Sequence, residues 1–332
     1  MSTPAQDPTA AAPGKTPAST SSSLVTVLVA LAANALVAVA KSVAAGLTGS
    51  ASMVAEAAHS WADTGNEVAL LVAEKRGARP RDAVHPRGYG RSTYLWSLVA
   101  AFGLFVAGAV LSIWHGVTEI VAIAGGEARD EPGYFTVGYV VLAVAFVLEG
   151  ASFLQALNQV RDRSARFHLR PLQLVSRTSD PTLRAVFLED SSALVGLVLA
   201  ATGIGLHQAT GNPVWDALGS VAVGVLLAFV ALFLIRRNME YLVGKQVPEE
   251  VRSAVLRVLL THPQVAKVTY LHIEYVGPMR LFVVAAVDLV GDEAEPLLAV
   301  RLRRLEAELE RRTEIEDAVL TLSTPDEAAL PL

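Results

Sequence analysis

His59 and Asp63 stand four residues apart, with Asn66 three residues further on, inside the apolar segment Met53–Glu74. In a helix this spacing sets the three side chains on one face, about one turn apart. An imidazole nitrogen and a carboxylate facing one way, with an amide a turn on, supply half of a divalent-metal site. Ionisable groups in a membrane helix are costly unless they face a bundle interior or a wet cavity, so the trio reads first as a functional site. A polar cluster bonding neighbouring helices is the rival reading. A second carboxylate pair, Glu189 and Asp190, lies in the apolar run Ala185–Leu206. With His59 and Asp63 it brings at least three hard or borderline ligands from two segments. The same pair also fits a cap near a helix start, where negative charge is favoured, and spacing leaves both readings open. Glu189 and Asp190 are about 100° apart around a helix, so both reach one ion only if it lies between their faces.

The segments that must position these groups are long and apolar. Hydrophobic residues make up 52% of the 332 and charged residues 18%, with a mean hydropathy of +0.44. That balance places the chain in the membrane class ahead of soluble enzymes. Six runs reach spanning length: Leu24–Ala44, Met53–Glu74, Tyr94–Ile123, Phe135–Val160, Ala185–Leu206 and Val214–Ile235. Helices are the form that satisfies backbone polar groups within each segment. Residues 1–23, rich in Ser, Thr, Ala and Pro, read as a disordered tail. No basic stretch precedes the first apolar run, so no cleaved signal peptide is expected. There is no cysteine. Disulfides, thiolate ligands, iron–sulfur sites and cysteine nucleophiles are thereby excluded, and a metal must be held by His nitrogen and Asp, Glu or Asn oxygen. A net charge of -5 without a basic aromatic module gives no reason to expect nucleic acid as a partner.

Loop charge sets the orientation. Lys75, Arg76, Arg79, Arg81, Arg87 and Arg91 fall in 75–93, and Arg161, Arg163, Arg166, Arg170, Arg177 and Arg184 in 161–184. The loops 45–52 and 207–213 have no Lys or Arg. The positive-inside rule then puts both termini in the cytoplasm. From Gly244 the composition is that of a soluble domain. Pro248-Glu249-Glu250 starts a helix, Leu271–Val276 and Leu281–Leu289 read as strands around Gly277-Pro278, and Leu298, Leu302, Leu305 and Leu309 form a helical stripe before a last strand, Ile315–Leu322. The expected fold is a six-span transmembrane helix bundle, 24–243, followed by a small cytosolic α+β (α-β-β-α-β) domain, 244–324, and a short tail, 325–332.

Three other charges lie in the spans. Lys41 and Glu56 read as an ion pair at the outer interface. Glu149, mid-way along the fourth run, has no obvious partner in sequence; orienting a ligand or packing is preferred to ligation. Glu67 stays unassigned.

The run from Lys41 to Ser60, through Thr48-Gly49-Ser50 and Glu56-Ala57-Ala58-His59-Ser60, resembles the first-to-second-span signature of the cation diffusion facilitator family. His85-Pro86-Arg87-Gly88-Tyr89-Gly90-Arg91 resembles that family's cytoplasmic loop signature. The resemblance covers about residues 24–322. It implies dimeric exporters, set in the lipid bilayer of the cell membrane, that exchange a divalent transition metal, most often zinc, for protons, with no resident cofactor and no enzymatic reaction. By position, His59 and Asp63 match the ligand pair of the second span and Asp190 the ligand of the fifth. The partner expected one turn before Asp190 would be Val186, which cannot bind metal, and Glu189 is the nearest substitute; Asn66 and Glu149 remain supporting groups. The Leu188-Glu189-Asp190 order is similar to a branch that includes an animal mitochondrial zinc transporter. In the loop signature one of two family histidines is His85 and the other is Tyr89, so a second metal site there is not expected. His262 and His272 lack a clustered partner set. Zinc comes first because the donors mix nitrogen and carboxylate; manganese, iron and cobalt stay open. The rival of a different class is a non-transporting membrane scaffold that keeps the fold.

Overall fold

The computed structural model describes residues 20–126, 134–166, 169–291, 294–324 and 326–331. The expected disordered tail lies outside these residues up to position 19; helix α1, Thr20–Thr48, takes its first turn from the Ser run that the composition assigned to the tail. Helix α2 spans Ala51–Gly77, capped by Ser50, whose hydroxyl accepts from the Met53 N–H at 3.2 Å. The third apolar run is one continuous rod of α3 (Gly90–Gly103), a π-helical stretch (Leu104–Val110) and α4 (Leu111–Ala124). Helix α5 covers Phe135–Arg166, α6 is a short helix at Pro171–Arg177, α7 runs Pro181–Thr210 and α8 runs Val214–Val243. Among the described residues five of these rods, all but α2, are long and apolar enough to cross a membrane. Helix α2 has the length but holds Glu56, His59, Asp63, Asn66 and Glu67, and it is wrapped by α1, the third rod, α7 and α8. Its polar content is hidden rather than lipid-facing. The chain is an integral membrane protein.

Small residues set the packing of the bundle. A Cβ at Gly224 of α8 would lie 2.6 Å from Ile113 Cγ1 and 2.9 Å from the Ile113 nitrogen, so α4 and α8 meet backbone to backbone. Between α2, the third rod and α8, Ala55, Ala62, Leu104, Ala109, Val223 and Leu227 make one apolar core. The loop expected at 161–184 is largely helical: α5 continues to Arg166, α7 begins at Pro181, and between them α6 packs on α5 and α7 through Leu174, Val175, Val160 and Phe187.

The C-terminal part has the expected order. Helix α9 is Glu249–Leu260, strand β1 Val265–Gly277, β2 Arg280–Leu289, helix α10 Glu295–Leu309 and strand β3 Ile315–Leu322. β1 starts six residues before the expected strand because Val265 and Val268, which point into the core, sit among polar neighbours that mask the alternation. The sheet order is β1-β2-β3, with β1 and β2 antiparallel and β2 and β3 parallel. α9 and α10 cover one face through Leu256, Leu259, Leu305 and Leu309. This sheet is joined to the bundle at its hairpin turn. A Cβ at Gly90, the first residue of α3, would lie 2.5 Å from the Val276 carbonyl. Tyr241 of α8 stacks on Tyr94 of α3 at 5.1 Å and meets Tyr275 of β1 edge-on at 5.5 Å. Arg91 pairs with Glu274 at 3.0 Å.

Candidate metal and proton site

Helix α2 carries a ladder of polar side chains from Glu56 to Glu67, about 16 Å long at ~1.5 Å per residue. Each rung has a partner. Lys41 of α1 bonds Glu56 at 2.9 Å and Glu149 of α5 at 2.8 Å, with the Lys41 and Glu56 side chains fully buried. His59 Nε2 lies 3.4 Å from Asp63 Oδ2. Asn66 donates from Nδ2 to Glu189 Oε2 of α7. Asn34 of α1 donates to Glu67 Oε1 at 2.7 Å. One residue along α7, Ser152 of α5 donates to Asp190 Oδ2 at 2.8 Å.

The Lys41–Glu56 pair is therefore a buried three-charge knot rather than an interfacial pair, and Glu149, which showed no partner in sequence, is its third member. The room for it comes from Gly196 on α7, where a Cβ would sit 2.7 Å from Glu56 Oε1. The cap reading of Glu189 and Asp190 fails. α7 starts at Pro181 behind an Asp180 cap that accepts from Leu183 N at 3.1 Å, so the two carboxylates lie more than two turns inside. As their angular separation requires, they part: Glu189 is buried toward α2, and Asp190 faces α5.

One regularity runs through five of these six carboxylates. Glu56, Asp63, Glu67, Glu149 and Glu189 each hold one oxygen against a protein partner and leave the other buried without one. Asp190 likewise commits Oδ2 to Ser152. Both ring nitrogens of fully buried His59 lack a hydrogen bond, as does Asn66 Oδ1. Buried polar atoms are seldom left this way unless a ligand, ion or proton completes them. Among the described residues no three His, Asp or Glu side chains converge closely enough to hold a metal ion as they lie. His59 with Asp63 on α2, and Asn66 of α2 with Glu189 of α7, are two separate pairs.

The sequence does not single out Ser152 or Asn34. Ser152 lies three residues after Glu149, on the same side of α5, and Asn34 two turns before Lys41 on α1; those spacings were the available signal. Outside the bundle, Tyr89 donates its hydroxyl to Asp82 at 2.7 Å, and the His85 N–H donates to the same carboxylate at 2.7 Å. These bonds hold the Asp82 carboxyl below its ordinary value, Tyr89 having the larger effect. The His85 and Tyr89 rings lie 4.0 Å apart, tilted by 33°, so the loop is closed by an aromatic and hydrogen-bonded staple. His262 pairs with Glu308 at 3.3 Å, and His272 lies in β1.

The comparisons with known proteins follow the same outline. Residues 27–243 match the model of the cation efflux transmembrane domain. The chain belongs to the cation diffusion facilitator family. The match takes in the helix bundle from residue 27 onward, and with it Glu56, Asp63, Glu67, Glu149, Glu189 and Asp190. A Xenopus laevis protein named proton-coupled zinc antiporter SLC30A9, mitochondrial, is 36% identical over 265 residues, 80% of this chain and 46% of its own length. Metal tolerance protein C4 of Arabidopsis thaliana is 34% identical over 239 residues, 72% of this chain and 51% of its own. The cation-efflux pump FieF of Escherichia coli is 24% identical over 260 residues, 77% of this chain and 76% of its own. The chain spans about half the length of the first two of these relatives.

Proposed function

We propose that this chain is an exporter of a divalent transition-metal cation, zinc foremost, driven by protons moving the opposite way. The observation that carries the reading is the charge imbalance in the bundle. Glu56, Asp63, Glu67, Glu149, Glu189 and Asp190 lie among the helices, and among the described residues Lys41 is the one lysine or arginine ion-paired with any of them. Unpaired negative charge in a low-dielectric interior must be offset by a cation or a proton. His59, Asp63, Asp190 and Glu189 are the proposed ligands, with Asn66 and Glu149 supporting. Metal binding needs a neutral imidazole and ionised carboxylates, so metal and protons compete for the same groups. A histidine, ordinarily near pKa ~6.5, is readily moved across physiological pH by its neighbours. On the cytoplasmic side metal displaces protons; once the bundle has rocked outward, protons displace metal, as in secondary transporters with sites between helices. Zinc leads because the donors combine nitrogen and oxygen, and the name of the similar Xenopus laevis protein supports it. The same reading places the protein in the cell membrane as a homodimer with both termini cytoplasmic, acting as a carrier with no catalytic residue and no resident cofactor.

The test is zinc flux by the purified protein in sealed lipid vesicles, with manganese, iron and cobalt as competitors. Flux with zinc preferred supports the proposal. A protein that inserts and folds but moves none of these metals is a membrane scaffold.

A further inference from the structure

Helix α5 contributes none of the proposed ligands, yet it touches the ladder twice on one side. Glu149 Oε1 is bonded to Lys41 Nζ at 2.8 Å. Three residues on, Ser152 Oγ donates to Asp190 Oδ2 at 2.8 Å. Positions three apart on a helix share a face, so the ion pair that fixes the rotation of α5 also brings the Ser152 hydroxyl to Asp190. Asp190 is half-buried and Glu189 is turned away toward Asn66. No lysine or arginine is ion-paired with Asp190 among the described residues, so the Ser152 hydroxyl is the orienting contact the geometry shows for it.

We propose that Ser152 is a positioning residue for metal binding: its hydroxyl occupies Oδ2 of Asp190 and leaves Oδ1 as a single, oriented donor. The proposal rests on Asp190 being a ligand. The chemistry is that of the outer partners of metal-bound carboxylates, whose hydrogen bonds fix the ligand's orientation and whose loss typically weakens metal affinity by about 10–100-fold. Ser152 is exposed on its flank of α5, so a slightly larger side chain can be accommodated there.

Ser152→Thr and Ser152→Val make the decisive pair, because the two side chains have nearly the same shape and only one carries a hydroxyl. Asp190→Asn is measured beside them. Zinc affinity is read on the full chain in detergent, and zinc flux in vesicles is resolved into KM and maximal rate. The expected result is that Ser152→Thr binds zinc as the parent does. Ser152→Val should raise Kd and KM together by about 10-fold or more, with the maximal rate largely kept. Asp190→Asn should lose binding. Equal zinc affinity in the Thr and Val variants, with binding lost in Asp190→Asn, overturns the role of Ser152 and leaves the proposed site standing. Undiminished binding in Asp190→Asn overturns the ligand assignment and the Ser152 proposal with it.

Discussion

Replacing Lys41 with Met should destabilise the protein at neutral pH far more than the loss of one surface charge would. Lys41 Nζ is 2.9 Å from Glu56 and 2.8 Å from Glu149, and the Lys41 and Glu56 side chains are wholly buried. Removing one partner of a buried ion pair costs about 3–5 kcal/mol, because the other charge stays buried and uncompensated. Proton uptake sets a ceiling for each stranded carboxylate. A glutamate of ordinary pKa ~4.3 taking a proton at pH 7 costs about 3.7 kcal/mol, at about 1.36 kcal/mol per pH unit. Glu149 keeps some exposure and Glu56 none, so the cost falls mainly on Glu56 and Lys41→Met should lose about 4 kcal/mol at pH 7. At pH 5.5 the same arithmetic gives about 1.6 kcal/mol, so the penalty shrinks as acid supplies the proton. Adding Glu56→Gln to Lys41→Met should recover much of the loss, since the amide carries no charge. The assay is reversible unfolding in mixed detergent micelles, each variant measured against the parent at both pH values. Parent-like stability of Lys41→Met, or a penalty that grows toward acid, would refute the reasoning.

Three further outcomes are expected. His59→Ala and Asp63→Ala should each abolish zinc flux in vesicles while size-exclusion profiles show intact folding; full flux in both would remove the pair from the site. Gly90→Ala should loosen the joint between bundle and C-terminal domain, because its Cβ meets the Val276 carbonyl and Gly277 Cα, backbone atoms that cannot swing aside. The expected loss is about 1–3 kcal/mol of stability, with a broadened spin-label distance distribution across the joint; an unchanged distribution and melting point would count against the contact. Val186→His should raise preference for zinc over manganese in competition binding, since imidazole suits zinc better; an unchanged ratio would show that position 186 does not reach the ion.

Much of the architecture can be read from local signals. The apolar runs, the Pro248-Glu249-Glu250 start of α9, and the leucine stripe of α10 mark their helices because each signal lies within a few residues of what it specifies. The chemistry on α2 is legible for the same reason: His59, Asp63 and Asn66 share one helix, so spacing alone fixes their relative placement. Contacts between helices distant in sequence are not legible in this way. Glu149 gives no sign in sequence of meeting Lys41, 108 residues away. The clearance that Gly196 provides for Glu56 depends on how closely α7 approaches α2, which no local pattern encodes. The parting of Glu189 and Asp190 follows from their 100° separation, but which helix each would meet does not. α6 is hidden because its seven residues are too few to show a period.

The most direct test of the account is proton counter-flow. Vesicles holding the purified protein and a pH-sensitive dye are given a zinc gradient and no pH gradient. Zinc entry should carry protons out, alkalinising the lumen at a rate that tracks zinc uptake, and Asp63→Asn should abolish both signals. Zinc uptake with no change in lumenal pH, or both fluxes undiminished in Asp63→Asn, would contradict the account.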